Sequence, residues 1–282
     1  MKRLLVFLTA CLAFNACAKD DAVVIFQVSD PQMGFQTRNA DMVYETATLS
    51  AAVKAINPIR PDAVVFTGDL VHDCWDQAQW AEFKRLAGEI DKSAKVLYIP
   101  GNHDIVFKDG FDMTPYLNHI GPDRFNVKIG NVMLTGINTD YIKYSEGSQE
   151  EIEQIQWLKS SLANKDEGEI SILFGHHPFF LNSPDEPEEY FNIRPENRST
   201  YLEIFRNCKV DAVFCGHKHD NSVSADGNMP VVTTSAIGKP LGQAPSGFRV
   251  IVVTNGKIHH AYLTPEQVPA SRKELIRMVA EQ

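Results

Sequence analysis

The chain has 282 residues, 44% hydrophobic and 22% charged, the balance of a globular protein with a sizeable core. Its length suits one large sandwich-like domain, so no division into two is required. A net charge of −9 with no basic stripe to offset it argues against a nucleic-acid partner, although bound cations can still draw a phosphate group to an acidic surface.

The chain opens with a targeting pattern over residues 1–16. Lys2 and Arg3 precede Leu4–Phe14, an apolar run too short to span a bilayer, as in an export signal. Phe14-Asn15-Ala16-Cys17 resembles a bacterial lipobox, whose cysteine becomes the lipidated first residue, and Lys19-Asp20-Asp21 resembles the tag of some surface-displayed lipoproteins. The expectation is an exported lipoprotein, held by its lipid at the outer membrane, the cell surface or in the periplasm. Cys74, Cys208 and Cys215 then remain, an odd trio that makes no disulfide framework. Cys215 lies in an apolar run and reads as a small core residue.

A folded domain is expected over residues 22–265, followed by a helical tail over 266–282. Apolar runs at Val23–Val28, Ala63–Thr67, Val96–Ile99, Ile172–Phe174 and Ala212–Cys215 read as buried strands. Helical spacing marks Asp41–Asn57, stopped by Pro58, and Trp75–Ile90, whose Trp75 and Trp80 should pack against a sheet. Ser148 and Glu151 form a capping-box pattern ahead of Ile152, Ile155, Leu158 and Leu162 on one face. A further helix is expected over Thr200–Arg206. Strands at Val132–Ile137, Val231–Thr234, Phe248–Val253 and Ile258–Tyr262 carry Asp226-Gly227 and Asn255-Gly256, both hairpin signals. The whole reads as an α/β domain of two stacked sheets flanked by helices.

Five polar clusters, each following a predicted strand, carry the chemistry. They are Asp30-Pro31-Gln32, Gly68-Asp69-Leu70-Val71-His72, Gly101-Asn102-His103-Asp104, Gly175-His176-His177-Pro178 and Gly216-His217-Lys218-His219, and they hold six of the nine histidines. Carboxylate, amide and imidazole donors gathered at strand ends suit a pair of divalent metals, and paired metals suit phosphoryl chemistry. Asp69 is the candidate bridge, since two carboxylate oxygens can hold cations about 3.5–4 Å apart. Asp30 and His219 would complete one side, and Asn102, His176 and His217 the other. A hydroxide between the cations would attack phosphorus. His103 is the candidate general acid, oriented by His72 or Asp73.

These clusters make the chain similar to the calcineurin-like metallophosphoesterases over nearly its whole length after the leader. The usual pattern in that superfamily is Asp-x-His, Gly-Asp-x-x-Asp, Gly-Asn-His-Asp/Glu, a lone His after a strand, and Gly-His-x-His. The resemblance implies a four-layer α/β/β/α sandwich with two mixed β-sheets. It also implies Asp30, Asp69, Asn102, His176, His217 and His219 as metal ligands, His103 as the catalytic histidine, and two divalent metal ions drawn from Mn²⁺, Mg²⁺, Fe²⁺ or Zn²⁺. Gln32 stands where the family usually has a ligating His, a weaker donor that favours a harder cation. His72 stands where the family usually has Asp and is a candidate partner of His103. His177 is left outside the ligand set. Asp-Pro-Gln, Gly-Asp-Leu-Val-His, Asp185–Asn192 and Ser235-Ala236-Ile237-Gly238 together resemble one subgroup, the calcineurin-like phosphoesterase-domain-containing serine/threonine phosphatases. A phosphomonoesterase acting on a phosphate-ester substrate is therefore expected, with a phosphodiesterase or a non-catalytic surface binding module as alternatives. Asp185–Glu189, Lys239, Arg249 and Asn138-Thr139-Asp140 are weaker candidates for contact with the site.

Overall fold

The computed structural model describes residues 22–108, 110–163 and 165–282; the expected export signal and lipobox lie outside them. In chain order the elements begin with β1 (Val23–Val28), α1 (Val43–Ile56), β2 (Ala63–Thr67), α2 (Gln77–Ala87), β3 (Lys95–Ile99) and α3 (Thr114–His119). Next come β4 (Phe125–Ile129), β5 (Val132–Gly136), α4 (Thr139–Tyr144), α5 (Gln149–Leu162), β6 (Ile170–Phe174) and α6 (Pro195–Asn207). The last are β7 (Ala212–Cys215), β8 (Ser222–Asp226), β9 (Met229–Thr233), β10 (Phe248–Thr254), β11 (Lys257–Leu263) and α7 (Arg272–Ala280).

Two mixed sheets result. One has the order β11-β10-β1-β2-β3, the other β4-β5-β6-β7-β9-β8. Strands β1, β2 and β3 run parallel, as do β5, β6, β7 and β9, while the hairpins at Asp226-Gly227 and Asn255-Gly256 add antiparallel edges. The continuous apolar runs are explained by burial on both faces. In β1, Val23 and Ile25 face the second sheet, packing with Leu134, Ile172 and Phe214. Val24, Phe26 and Val28 face the outer helices, joining Leu49 and Val53 of α1, Trp80 and Phe83 of α2, and Leu275 and Val279 of α7. On the far side, Leu158 of α5 and Phe205 of α6 cover Leu173, Val213 and Cys215. This is the expected four-layer α/β/β/α sandwich. The segment expected as a helical tail carries α7, whose Arg272 binds the Asp62 carboxylate and the main-chain oxygens of Ala22 and Arg60.

Several local expectations change. Helix α2 starts at Gln77 because the Asp76 carboxylate accepts from the amides of Ala78 and Gln79, a side-chain N-cap. Trp75 therefore lies outside it and is 61% exposed rather than packed on the sheet, whereas Trp80 is fully buried. Ser148 caps α5 as expected, but the Glu151 carboxylate reaches the Gly147 amide, not that of Ser148. Ile152 lies on the solvent side of α5, with Leu158 and Leu162 buried. Helix α6 begins earlier than Thr200 because Pro195 pre-sets its first turn. Strand β3 is only partly covered, as an edge strand should be.

Candidate metal centre

All five polar clusters fall where strands end. Asp30 follows β1, Asp69 follows β2, Asn102 follows β3, His176 follows β6 and His217 follows β7. Parallel pairing within each sheet brings these carboxyl ends to one edge, and stacking the sheets closes that edge into one site. The backbone there is unusual. Asp30, Gln32, Asp69, His217 and His219 all have φ between 38° and 67°, the left-handed region rarely used by non-glycine residues. Five of seven candidate ligands share this conformation, so the loops hold functional geometry at the expense of local preference.

The loops lock together through the main chain. The amides of Asp30 and Gln32 donate to the carbonyls of Gly68 and Asp69, and the Gly216 amide donates to the His176 carbonyl. The amide of His103 donates to Asp69 Oδ1 at 2.8 Å. Gly101 is required for this approach, because a Cβ there would collide with the Asp69 amide and carboxylate. Asp104, which was assigned no role from the sequence, accepts from the amides of Leu70, Val71 and Gly101 and fastens the second cluster to the third.

Two groups of donors meet inside this frame. Asp30, Asp69 and His219 offer ligand atoms that all lie within 4.8 Å of one another, and so do His176, His177 and His217. Asp69 belongs to the first group and touches the second: its Oδ1 lies 3.4 Å from His176 Nε2, which is also 3.3 Å from Asn102 Oδ1. Asp30 Oδ1 lies 3.4 Å from His219 Nε2. Six expected ligands therefore converge, with the aspartate expected as bridge between the two sets. His177 is the addition. Its Nδ1 faces Thr139 Oγ1 at 3.2 Å and Asp140 at 3.6 Å, and Tyr144 Oη lies 3.4 Å from its Nε2. Asn138-Thr139-Asp140, which could equally have been a plain turn, instead opens a helix whose first residues contact the site. Asn138 caps it, and the Thr139 hydroxyl accepts from the amides of both His176 and His177.

The residues fit a pair of cations. Gln32 Oε1 and both ring nitrogens of His217 are buried with no hydrogen-bond partner among the described residues, unfavourable for such acceptor atoms unless something satisfies them. Imidazole orientation is set from behind: His176 Nδ1 pairs with the Thr67 carbonyl at 2.8 Å, and His219 Nδ1 with the Lys239 carbonyl at 2.6 Å. In each ring this leaves Nε2 for the centre, the usual outer support of a metal-ligating histidine. Lys239 therefore contributes its main chain. Arg249, the other basic candidate, is buried and bonded to Thr234 Oγ1 and Asn221 Oδ1.

Electrostatics agree. Burial alone would push the Asp69 carboxyl up, but the imidazoles of His176, His103 and His217 outweigh it and hold the carboxyl well below its usual range. Burial lowers the His176 imidazole, yet Asp69, Asp30 and Asp140 overcome that and raise it to about 10, so a cation entering here displaces a proton. Burial, with the neighbouring His176, keeps His217 well below the ordinary imidazole value, neutral and ready to ligate.

His103 sits at the mouth. Its Nδ1 donates to the main-chain carbonyl of His72 at 2.9 Å, leaving Nε2 free, and the two rings stack at 4.8 Å. The orienting partner is thus the His72 backbone, not the carboxylate of Asp73. Burial, reinforced by His103, pushes the His72 imidazole down to about 4, so it stays neutral, with Gln32 Nε2 3.5 Å from its Nδ1. Beside His103 opens a cavity of about 540 Å³. Tyr190, which lines the same cavity, packs 5.3 Å from the His217 ring, and Phe191 5.6 Å from it. In the sequence both aromatics belong to the Asp185–Asn192 segment that resembles the phosphatase subgroup, but no local pattern ties them to the strand-end clusters or gives them a role there. The acidic run before them is partly structural: Glu186 accepts from the amides of Leu181, Asn182 and Ser183.

The family profile described as calcineurin-like phosphoesterase matches residues 23–221. A relative from Homo sapiens, named serine/threonine-protein phosphatase CPPED1, is 31% identical over 85% of this chain and 83% of its own length. Among solved structures, a dimetal phosphatase from Danio rerio superposes with a TM-score of 0.63 at 15% identity, covering 86% of this chain and 96% of that one. The purple acid phosphatase PPD1 of Lupinus luteus gives a TM-score of 0.68 at 13% identity over 89% of this chain, which spans only 53% of that longer protein.

Proposed function

The chain belongs to the calcineurin-like phosphoesterase family and is a metal-dependent phosphoric ester hydrolase, and on that premise we propose that it is a phosphomonoesterase of the protein-phosphatase type. The likeness to the human serine/threonine-protein phosphatase over 85% of the chain supports the monoester reading, and the observation that supports the paired-metal site is the position of Asp69, whose carboxylate belongs to one donor group, lies 3.4 Å from His176 of the other, and accepts the amide of His103. Asp30, Asp69 and His219, with Gln32 beside them, would hold one divalent cation, and Asn102, His176 and His217 the other, with Asp69 shared. When bound, such a pair polarises water and neutralises charge on the phosphoryl oxygens. The protein's own share is orientation and proton transfer. Water adds its oxygen to phosphorus and gives up a proton, the bond from phosphorus to the ester oxygen breaks, and His103, carrying a proton on Nε2 as well as on Nδ1, delivers the Nε2 proton to the departing oxygen and is then restored by the proton that water released. The Nδ1 contact to the His72 carbonyl fixes the ring for that transfer.

Gln32 supports a harder cation such as Mn²⁺ or Mg²⁺, because its amide oxygen is a weaker donor than imidazole. Residues 1–17 support export with lipid on Cys17, and an unacylated Cys17 in the membrane-extracted protein would overturn that. The function itself is tested by assaying purified protein with Mn²⁺ against a phosphomonoester and a phosphodiester, alongside Asp69→Asn. Faster monoester turnover, abolished with metal content in Asp69→Asn, is expected. Preferential diester turnover would replace the assignment with a phosphodiesterase, and inactivity of the metal-loaded wild type would favour a binding module.

A further inference from the structure

The cavity beside His103 carries more apolar, planar surface than hydrolysis of the phosphoryl group requires. Trp75, Phe107 and Tyr190 line it together with Asn102 and His103. Trp75 and Tyr190 are each 61% exposed, although burying rings of this size is among the larger gains available to a folding chain. Neither is exposed by a loose segment. The Trp75 amide donates to Asp73 Oδ1, and the turn is pinned where Trp80 Nε1 donates to the Cys74 carbonyl. The loop bearing Tyr190 hangs on Arg198, whose buried guanidinium donates to the carbonyls of Pro184, Glu186 and Ile193. Asn192 closes the same loop by accepting from the Glu189 amide and donating to Glu186 and Pro187. Two rigidly mounted, solvent-facing rings beside a catalytic imidazole form a preorganised stacking surface.

We propose that Trp75 and Tyr190 determine specificity, stacking on a planar aromatic group in the leaving portion of the phosphomonoester while the phosphoryl group lies at the metal centre beside His103. This rests on the phosphomonoesterase reading and narrows its substrate class. Among the described residues the lining has one lysine, Lys108, and one carboxylate, Asp73, beside the imidazoles of His72 and His103, so it suits a neutral ring system better than a second polyanionic group. A nucleobase and an aryl ring share this chemistry, and substrate choice separates them.

The test compares wild type, Trp75→Ala, Tyr190→Ala and Trp75→Phe on adenosine 5′-monophosphate, phenyl phosphate and ribose 5-phosphate, with metal content measured throughout. Ribose 5-phosphate presents the same primary-alcohol leaving group as the nucleotide without its base. Each alanine variant should lower kcat/KM for the aromatic esters about tenfold relative to its own value on ribose 5-phosphate; Trp75→Ala, which touches no ligand, should leave ribose 5-phosphate turnover and bound metal unchanged, and Trp75→Phe should keep most of the wild-type preference. A loss confined to the nucleotide identifies a nucleobase; one confined to phenyl phosphate identifies an aryl ester. Equal losses on all three substrates, or none on any, overturn the stacking role, and turnover of ribose 5-phosphate by the wild type then leaves the phosphomonoesterase reading standing. If the wild type turns over no monoester, that reading fails instead, and stacking is judged by quenching of tryptophan emission with adenosine 5′-monophosphate: quenching lost in Trp75→Phe upholds it, and no quenching overturns it.

Discussion

At the scale of single residues, the site separates side chains that would hold cations from one that handles a proton. His103 is joined to Asp69 only through its main-chain amide, so its ring can be removed without disturbing that tie. His103→Ala should therefore keep its metal content while kcat falls by about 10²–10⁴, the usual range for losing a positioned general acid. Metal analysis beside steady-state kinetics checks this, and loss of the metals together with activity would reassign His103 to the binding frame. The cluster residues were legible in the sequence because each closes an apolar run with a polar side chain of a type that ligates metals. What holds them was not. The carbonyls of Thr67 and Lys239, which orient His176 and His219, belong to residues 109 and 20 positions away, and a main-chain oxygen leaves no mark in composition.

At the scale of elements, the strand ends must be held in register across two sheets that share no backbone ladder. Gln27 does this from inside β1. Its buried amide donates to Thr67 Oγ1 of β2 and to the Cys215 carbonyl of β7, and accepts from Thr234 Oγ1 just beyond β9. Thr67 Oγ1 then donates to Ser29 Oγ, which donates to Asp30 Oδ2. Gln27→Leu keeps the volume but strands several buried polar atoms, so it should cost about 2–4 kcal/mol of stability. Urea unfolding measures that, and weaker binding of the cation held by Asp30 and His219 should accompany it in titration. A stability change below about 0.5 kcal/mol would mean the two sheets need no such brace. Gln27 shows why elements were easier to read than their junction: β1 is evident as an apolar run, yet its one polar residue makes sense only when the second sheet lies over it. Trp75 shows the converse. Helical spacing included it, but the Asp76 cap starts α2 beyond it and leaves the ring for the cavity.

At the scale of the whole molecule, stacking the sheets also buries ionisable groups that are not among the candidate ligands. The four layers could be inferred from strands covered on both faces, but not which polar residues the covering would desolvate, since that depends on how one sheet lies across the other. His260 on β11 is such a residue. Its ring meets Phe214 of the opposite sheet edge-on at 5.6 Å, and its Nδ1 lies 3.1 Å from the Arg249 guanidinium. Burial, reinforced by the charge of Arg249, pushes the imidazole down to about 4 from an ordinary value of 6.5. The folded state therefore favours the neutral ring. Above pH 6.5 the ring is neutral in both states and adds no pH dependence. As pH falls from 6.5 towards 4 the unfolded chain takes up the proton and the folded protein does not, so stability is lost across that window and levels off below it. Because the ring is only partly covered, solvent screening limits the loss to on the order of 1–2 kcal/mol. His260→Gln keeps an acceptor for Arg249 without the titration. Thermal or urea unfolding of both proteins from pH 7.5 to 4 should show their difference shifting in favour of the variant below pH 6.5, with the acid-labile ligands of the site cancelling between them. A difference that stays constant across the range would mean that Arg249 and Phe214 leave this imidazole free to protonate in the folded protein.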